Sequence, residues 1–449
     1  MSHYKSIIRL ALPIIIGQIG TIITGLVDTI MVGQYSTEEL AASAFANNVF
    51  MFFMVIGIGF TFNFAPLVAY SLANNDKPGV GEWLKNSVAA NTIIGLILFS
   101  LLIIVYFNIE NLGQPKNLIP IIKPYFMVCS ISLLPIMLYT SFRQFVESIL
   151  EPSTAMWIFL VGNILNIIGN YILIYGKLGM PELGLYGAGL STLFSRCMML
   201  AMFIIILSLS KKYKEYKQGY LKGEWNFDLI FQLFRLGLPI GLQQGFEAAS
   251  FCFVAIMVGW IDSLNLAAHQ IVVSISSVCY MVYLGLGNAV AIKVSHFRGK
   301  NDIVNVKKVA YAGMALSLVV SSIISPALYS WNKEISMFFT DETLVAGLVR
   351  TAIPVIVIYV FADGIQITLA NVLRGLADGK AIMYISALAY FFIAIPVGYF
   401  FGFTCDMKLH GVWIAFPFGF VVAAVLFFLR FKKLLQKSPN KLENKEIVI

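Results

Sequence analysis

The chain has 449 residues, 59% of them hydrophobic and only 12% charged, with a mean hydropathy of +0.83 and a formal net charge of +8. A soluble domain carries about 25% charged residues, so this composition excludes a soluble globular protein. Long apolar runs, in place of short alternating segments, exclude a membrane β-barrel.

At about 20 apolar residues per span, twelve runs are long enough to cross a bilayer: 7–32, 45–72, 86–107, 121–142, 155–176, 185–209, 229–257, 265–294, 305–328, 344–372, 381–403 and 409–431. The first is no removable signal peptide, because it is too long, contains Asp28 and lacks a small-residue cleavage site. Asp28 is one of three acids deep within the runs; the others are Glu247 in the seventh and Asp363 in the tenth. A carboxylate at the bilayer centre costs about 2.5–3.5 kcal/mol on insertion scales, so each should face the protein interior or a water-filled cavity. Arg196 in the sixth run is nearly the only base at that depth. Three acids with so little basic compensation point to something positive: a proton, Na⁺ or an organic cation. Pairing with Arg196 or with a backbone group is the bland alternative.

In the fifth run Asn163, Asn166 and Asn170 stand at i, i+3 and i+7, on one helical face. Such amides often do no more than bond neighbouring helices, but a stripe of three exceeds what packing needs, and Thr192 in the sixth run is placed to join it. Between the sixth and seventh runs lies the densest basic cluster, Lys211, Lys212, Lys214, Lys217 and Lys222. Most of the 31 Lys and Arg share its side, which places both termini and this linker in the cytoplasm. The seventh run opens with Arg235-Leu-Gly-Leu-Pro-Ile-Gly-Leu-Gln-Gln-Gly-Phe-Glu247, putting Gln243 and Gln244 one turn before the acid and Phe251 one turn beyond it, where its ring is placed to face a cation. His269 and Gln270 open the eighth run, with His269 read as structural and Gln270 as a candidate substrate contact. In the tenth run Tyr359, Asp363 and Gln366 share one face.

The chain is doubled. Arg9-Leu-Ala-Leu-Pro13 recurs 226 positions on as Arg235-Leu-Gly-Leu-Pro239, Gln18 matches Gln244, and Asn75-Asp76 matches Asn301-Asp302; Glu147-Ser-Ile-Leu-Glu151 matches Arg374-Gly-Leu-Ala-Asp378 one position further along. Thr21 stands where Glu247 stands. Six helices per half is an even number, so both halves enter from the same side, as in a parallel repeat. The expected division is an N-lobe at 1–208, a cytoplasmic linker at 209–228, a C-lobe at 229–432 and a cytoplasmic tail at 433–449. The five Cys (Cys129, Cys197, Cys252, Cys279, Cys405) have no paired spacing, so no disulfide and no metal cluster are expected. Nothing matches enzyme machinery: no His-Glu-x-x-His, no phosphate-binding Gly loop, no nucleophile elbow. Any pumping must therefore draw on an ion gradient. No cofactor, nucleic acid or obligate protein partner is indicated.

Twelve helices in two repeats, Arg-x-Gly-x-Pro-x₇-Glu at 235–247, Phe-Ala-Asp-Gly-Ile-Gln at 361–366 and Leu-Arg-Gly-x-x-Asp at 373–378 together resemble the MATE family of multidrug and toxic compound extrusion transporters. Leu26-Val-Asp-Thr-Ile-Met-Val-Gly33 and Asn166-x₃-Asn170-Tyr-x₃-Tyr-Gly add to it, and acids in both the seventh and tenth helices resemble the NorM branch. The resemblance implies a V-shaped all-α bundle of two six-helix lobes. It also implies antiport of drugs and other organic cations, in the cytoplasmic (inner) membrane, against Na⁺ or H⁺. The family's cation-binding acids match Glu247 and Asp363, with Tyr359 beside them; its N-lobe acid matches Asp28, with Asn166, Asn170 and Thr192 around it. Gln243, Phe251, Gln270 and Gln366 remain possible substrate contacts. Ser148-Ile-Leu-Glu151 departs from the family's usual Gly-containing loop, and Glu147 and Glu151 are expected to be structural residues of that loop. A flippase for lipid-linked sugar precursors, of the same superfold, is the alternative; its pyrophosphate substrate would favour basic residues in the cavity, where acids dominate here.

Overall fold

The computed structural model describes residues 3–436; the expected tail beyond them lies outside the described residues. Twelve helices are long and apolar enough to span a bilayer: α1 His3–Tyr35, α2 Thr37–Ala73, α3 Lys77–Leu112, α4 Ile119–Ser148, α5 Pro152–Ile174, α6 Gly184–Leu209, α7 Phe227–Gly259, α8 Ser263–Gly299, α9 Ile303–Ser330, α10 Thr343–Gly375, α11 Gly379–Thr404 and α12 Lys408–Gln436. No strand occurs among the described residues. Large apolar side chains remain outside, as with Phe107 and Phe392, each 73% exposed. The fold is all-α, and each apolar run of the sequence becomes one helix, usually longer at both ends.

Short acidic caps set where several helices begin. Asp76 Oδ1 accepts from Gly79 N at 2.9 Å before α3, and Asp302 Oδ1 accepts from Asn305 N at 3.0 Å before α9. The residue before each cap, Asn75 or Asn301, has a positive φ, 56° and 54°. The two corners are copies, 226 residues apart. A second pair of corners repeats as well: Leu150 (φ 67°) after α4 and Ala377 (φ 58°) after α10. Asp262 Oδ1 caps α8 by accepting from Asn265 N at 2.7 Å, and this bond holds its carboxyl below the usual carboxylate range.

The chain packs as two compact units, one of Ile16–Gly241 and the other of the residues before Ile16 with those after Gly241. The division therefore falls inside α1 and α7, not at the expected 209–228 linker. The reason is packing within the first unit. The N-terminal half of α7 lies on α2, where Asn63 Nδ2 donates to Leu233 O at 2.9 Å and the Phe60 and Phe234 rings sit 5.1 Å apart. Gly237 and Gly241 permit the approach. A Cβ on Gly237 would lie 2.8 Å from Phe60 O, and one on Gly241 2.7 Å from Ile56 O. In the other unit Ile15 crowds Gly285 of α8, where an added Cβ would lie 2.5 Å from its side chain.

The linker is itself folded. Its helix, Lys214–Lys222, lies against the start of α3, with Gly81 and Gly219 each in contact with the facing backbone. Asn86 donates to Glu224 O at 3.2 Å and accepts from Asn226 N at 2.9 Å, while Lys85 Nζ lies 4.9 Å over the Trp225 ring. Lys212 pairs with Glu151 at 2.6 Å, which holds its ammonium above the usual range.

Candidate functional site

In the unit of Ile16–Gly241, the asparagine stripe of α5 divides its bonds between two neighbours. Asn170 Nδ2 donates to Asp28 Oδ1 at 2.5 Å, Asn166 Nδ2 to Thr192 Oγ1 at 3.3 Å, and Asn163 Nδ2 to Gly20 O at 3.4 Å. Ser191 Oγ holds Asn166 by its carbonyl at 2.8 Å. Asn166 and Asn170 are buried, and the Oδ1 of each is without a hydrogen-bond partner. Arg196, the base weighed as a structural partner of Asp28, spends its Nη1 on Ser132 Oγ at 2.5 Å and stands 5.3 Å over the Phe50 ring. It is within electrostatic reach of Asp28, but the polar contact of the Asp28 side chain is Asn170. The structure thus brings Asp28, Asn166, Asn170 and Thr192 together across α1, α5 and α6.

In the other unit, α7 and α10 carry the two remaining acids. Glu247 is buried; its Oε2 accepts from Gln243 Nε2 at 3.0 Å, one turn earlier, and its Oε1 has no hydrogen-bond partner. Asp363 is fully buried, and neither carboxyl oxygen has a hydrogen-bond partner. Tyr359, one turn before it, approaches the carboxyl without the geometry of a hydrogen bond. Its ring is fixed by Trp413, Phe416 and Phe420, with centroids 6.0, 6.1 and 5.4 Å away. Glu247 and Asp363 lie within electrostatic reach of each other. A buried carboxyl with no donor is the costliest place in this unit to leave a bare negative charge, and a proton or a cation removes that cost.

Gln366 lines the cavity beside Glu247 and donates from Nε2 to Tyr390 Oη at 2.5 Å. Tyr390 lies in Leu388–Ala394, where α11 widens to i→i+5 turns of the kind that often mark functional sites. Two candidate contacts sit elsewhere. Phe251 stacks on Phe416 with centroids 4.3 Å apart and does not line the cavity beside Glu247. Gln270 is exposed on α8 and does not line the cavity beside Glu247. His269 is buried and accepts from Trp413 Nε1 at 3.0 Å through Nδ1, as a packed structural histidine does.

That cavity has room for about one water-sized guest. Gln243, Gln244, Glu247, Tyr280, Asn371 and Arg374 are among its lining residues. Three of these were not singled out by sequence: Tyr280, Asn371 and above all Arg374. The tenth apolar run ends at 372, so Arg374 reads as part of a loop motif, whereas α10 continues to Gly375 and carries the arginine inside with 3% exposure. Its Nη1 donates to Asn371 Oδ1 at 2.9 Å and to Asn288 Oδ1 at 3.2 Å. Glu147 likewise belongs to a helix and not to the loop expected for it. It is buried in the last turn of α4, paired with Arg143 Nε at 2.7 Å.

A model of the MatE family matches the chain at residues 13–172 and 239–400, one stretch in each sequence repeat. A protein of Photorhabdus laumondii named "Probable multidrug resistance protein NorM" is 28% identical over 432 residues, covering 95% of each chain. "Multidrug resistance protein NorM" of Photobacterium profundum is 27% identical over 445 residues, again covering 95% of each. Among solved structures, the eukaryotic MATE transporter AtDTX14 superposes with a TM-score of 0.88 at 18% identity, covering 98% of this chain and 99% of that one, a likeness of fold. With family matches in both halves and the twelve-helix fold in place, the chain belongs to the MatE family: it is a multi-pass membrane transporter and not an enzyme.

Proposed function

We propose that this protein is a multidrug exporter that couples entry of a cation, Na⁺ or H⁺, to the exit of organic, often cationic compounds by alternating access. The observation that carries the reading is Asp363: fully buried, one turn from Tyr359, within electrostatic reach of Glu247, and with neither carboxyl oxygen in a hydrogen bond. Two neighbouring buried carboxyls disfavour joint ionisation, so a proton on one or a cation shared by both stabilises the pair. The ion biases the transport cycle only by its differential affinity for the two states. Asp28, half-buried and held by Asn170, is the second acidic station, open to a substrate or a proton. The relatives named multidrug resistance protein NorM support drugs as the cargo. With both termini inside, as the basic linker and tail favour, the transporter works in the cytoplasmic (inner) membrane without a cofactor or an obligate protein partner. The alternative, a flippase for lipid-linked sugar precursors, is less well supported, because a pyrophosphate favours basic residues at its site, whereas the buried pair here is the two acids Glu247 and Asp363.

The test is a double-mutant cycle with Glu247→Gln and Asp363→Asn, read as ethidium efflux from proteoliposomes under an imposed Na⁺ or H⁺ gradient. Either single substitution should abolish ion-driven efflux, and the double should be little worse, since residues acting as a unit are not additive. Near-normal efflux in either single variant, or fully additive losses on a logarithmic scale, overturns the shared site.

A further inference from the structure

Arg374 and Glu247 line one cavity, yet Glu247 takes its hydrogen bond from Gln243 and keeps Oε1 open. Arg374 has amide partners: Asn371, itself anchored by Nδ2 to Ile367 O at 2.9 Å, and Asn288 both accept from its Nη1. A guanidinium does not deprotonate in proteins, so this is a permanent positive charge in the cavity of a carboxylate, with two amides among its partners. The first half of the chain has the reverse. At the matching corner of α4 stands Glu147, buried at 1% exposure and directly paired with Arg143. Where the half with two deep acids has the base Arg374, the other half has the acid Glu147, already neutralised by Arg143.

We propose that Arg374 is a tethered counter-cation of Glu247, held off the carboxylate by Asn371 and Asn288, and that it sets how tightly the driving ion is bound. The inference rests on the coupling-site reading above. Buried in low dielectric, the arginine offsets part of the field that attracts a cation to the Glu247 and Asp363 pair. The ion then loads on the side of Asp363, whose carboxyl oxygens make no hydrogen bond, and it leaves readily because the net charge around it is smaller. Among the described residues, the charged or titratable groups within reach of Glu247 are Arg374, Asp363, Tyr280, Tyr359 and Tyr390, so Arg374 is the one base of the set.

The experiment measures ethidium efflux from proteoliposomes of the full chain against the concentration of whichever ion, Na⁺ or H⁺, drives the parent protein. Arg374→Gln should lower the half-saturating ion concentration on the order of tenfold and lower the maximal rate, because release slows. Arg374→Lys should stay nearer the parent. Asn371→Leu removes the shorter of the two tethers and lets the guanidinium move toward Glu247, so half-saturation should rise. A merely structural arginine predicts lower yield without these opposed shifts. An unchanged or raised half-saturation in well-folded Arg374→Gln, or an unchanged or lowered one in Asn371→Leu, overturns the proposal, and the second arm stands even if the first variant fails to insert. Glu247→Gln separates the two readings: normal ion-driven efflux in it overturns the coupling site as well, whereas lost efflux with no shift in the Arg374 and Asn371 variants overturns this inference alone.

Discussion

Gly237→Ala replaces a poor helix former with the best one and should nonetheless destabilise the protein. Helix propensity alone favours the change by about 1 kcal/mol. Against it, the new Cβ would sit 2.7 Å from Phe60 Cδ2 and 2.8 Å from Phe60 O. The ring can turn aside, but the carbonyl is the backbone of α2, so the two helices must separate. Overpacking of this kind costs about 1–3 kcal/mol. The Cβ would also strike the Asn63 amide, whose bond to Leu233 O at 2.9 Å is buried, and a buried group left unsatisfied costs about 1–3 kcal/mol more. The net expectation is a loss of about 1–5 kcal/mol. Gly17→Ala supplies the control, since a Cβ there meets nothing within 4 Å and should be neutral or stabilising. Thermal unfolding of both variants in detergent, followed by intrinsic tryptophan fluorescence, gives the comparison. If Gly237→Ala melts at or above Gly17→Ala, the packing account of α7 on α2 is wrong.

Asp28→Asn should reduce drug efflux several-fold at normal expression, and Asn170→Leu should do the same by removing a charge-assisted bond of about 1.5–3 kcal/mol; poor expression of Asp28→Asn rescued by neutralising Arg196 would instead make Asp28 a structural charge. In a background without the five free cysteines, Lys217→Cys should resist membrane-impermeant thiol reagents in intact cells, and rapid labelling from outside would invert the assigned direction of transport. Asp262→Ala should lower thermal stability at neutral pH. The folded-state value of Asp262 lies below its usual 3.8, so its contribution is complete above that pH and is lost as pH falls through the folded value. The parent and variant melting curves should therefore converge in acid, and a gap that persists there would rule out the carboxylate cap.

Much of this was legible because membrane proteins write their constraints plainly. Apolar length alone separates the twelve helices, since a backbone in lipid must satisfy its own hydrogen bonds. The doubling at 75–76 and 301–302 is readable as letters and reappears as two matching left-handed corners. The stripe Asn163, Asn166 and Asn170 is readable by period, but its division among Gly20, Thr192 and Asp28 depends on which helices flank α5. Arg374 escaped because a base at the end of an apolar run looks like a loop charge, whereas α10 continues past the run and carries it beside Asn288 of α8. Phe251 and Gln270 illustrate the converse. Distance along the helix from an acid says which turn a residue occupies, but another helix decides whether that turn faces the site.

The exchange inside α1 and α7 has a consequence for biogenesis. Ribosomes deliver about 5–20 residues per second, N-terminus first, so six helices are available well before α7. Yet the unit of Ile16–Gly241 includes the first half of α7, and until that segment arrives the face of α2 around Ile56, Phe60 and Asn63 stays open. Conversely, the stretch from His3 to Ile15 is made first and belongs to a unit whose other members come last. A chain cut between its sequence repeats would therefore leave both products unfinished, whereas a cut in the short loop after α7 would leave the first product with every helix its unit requires.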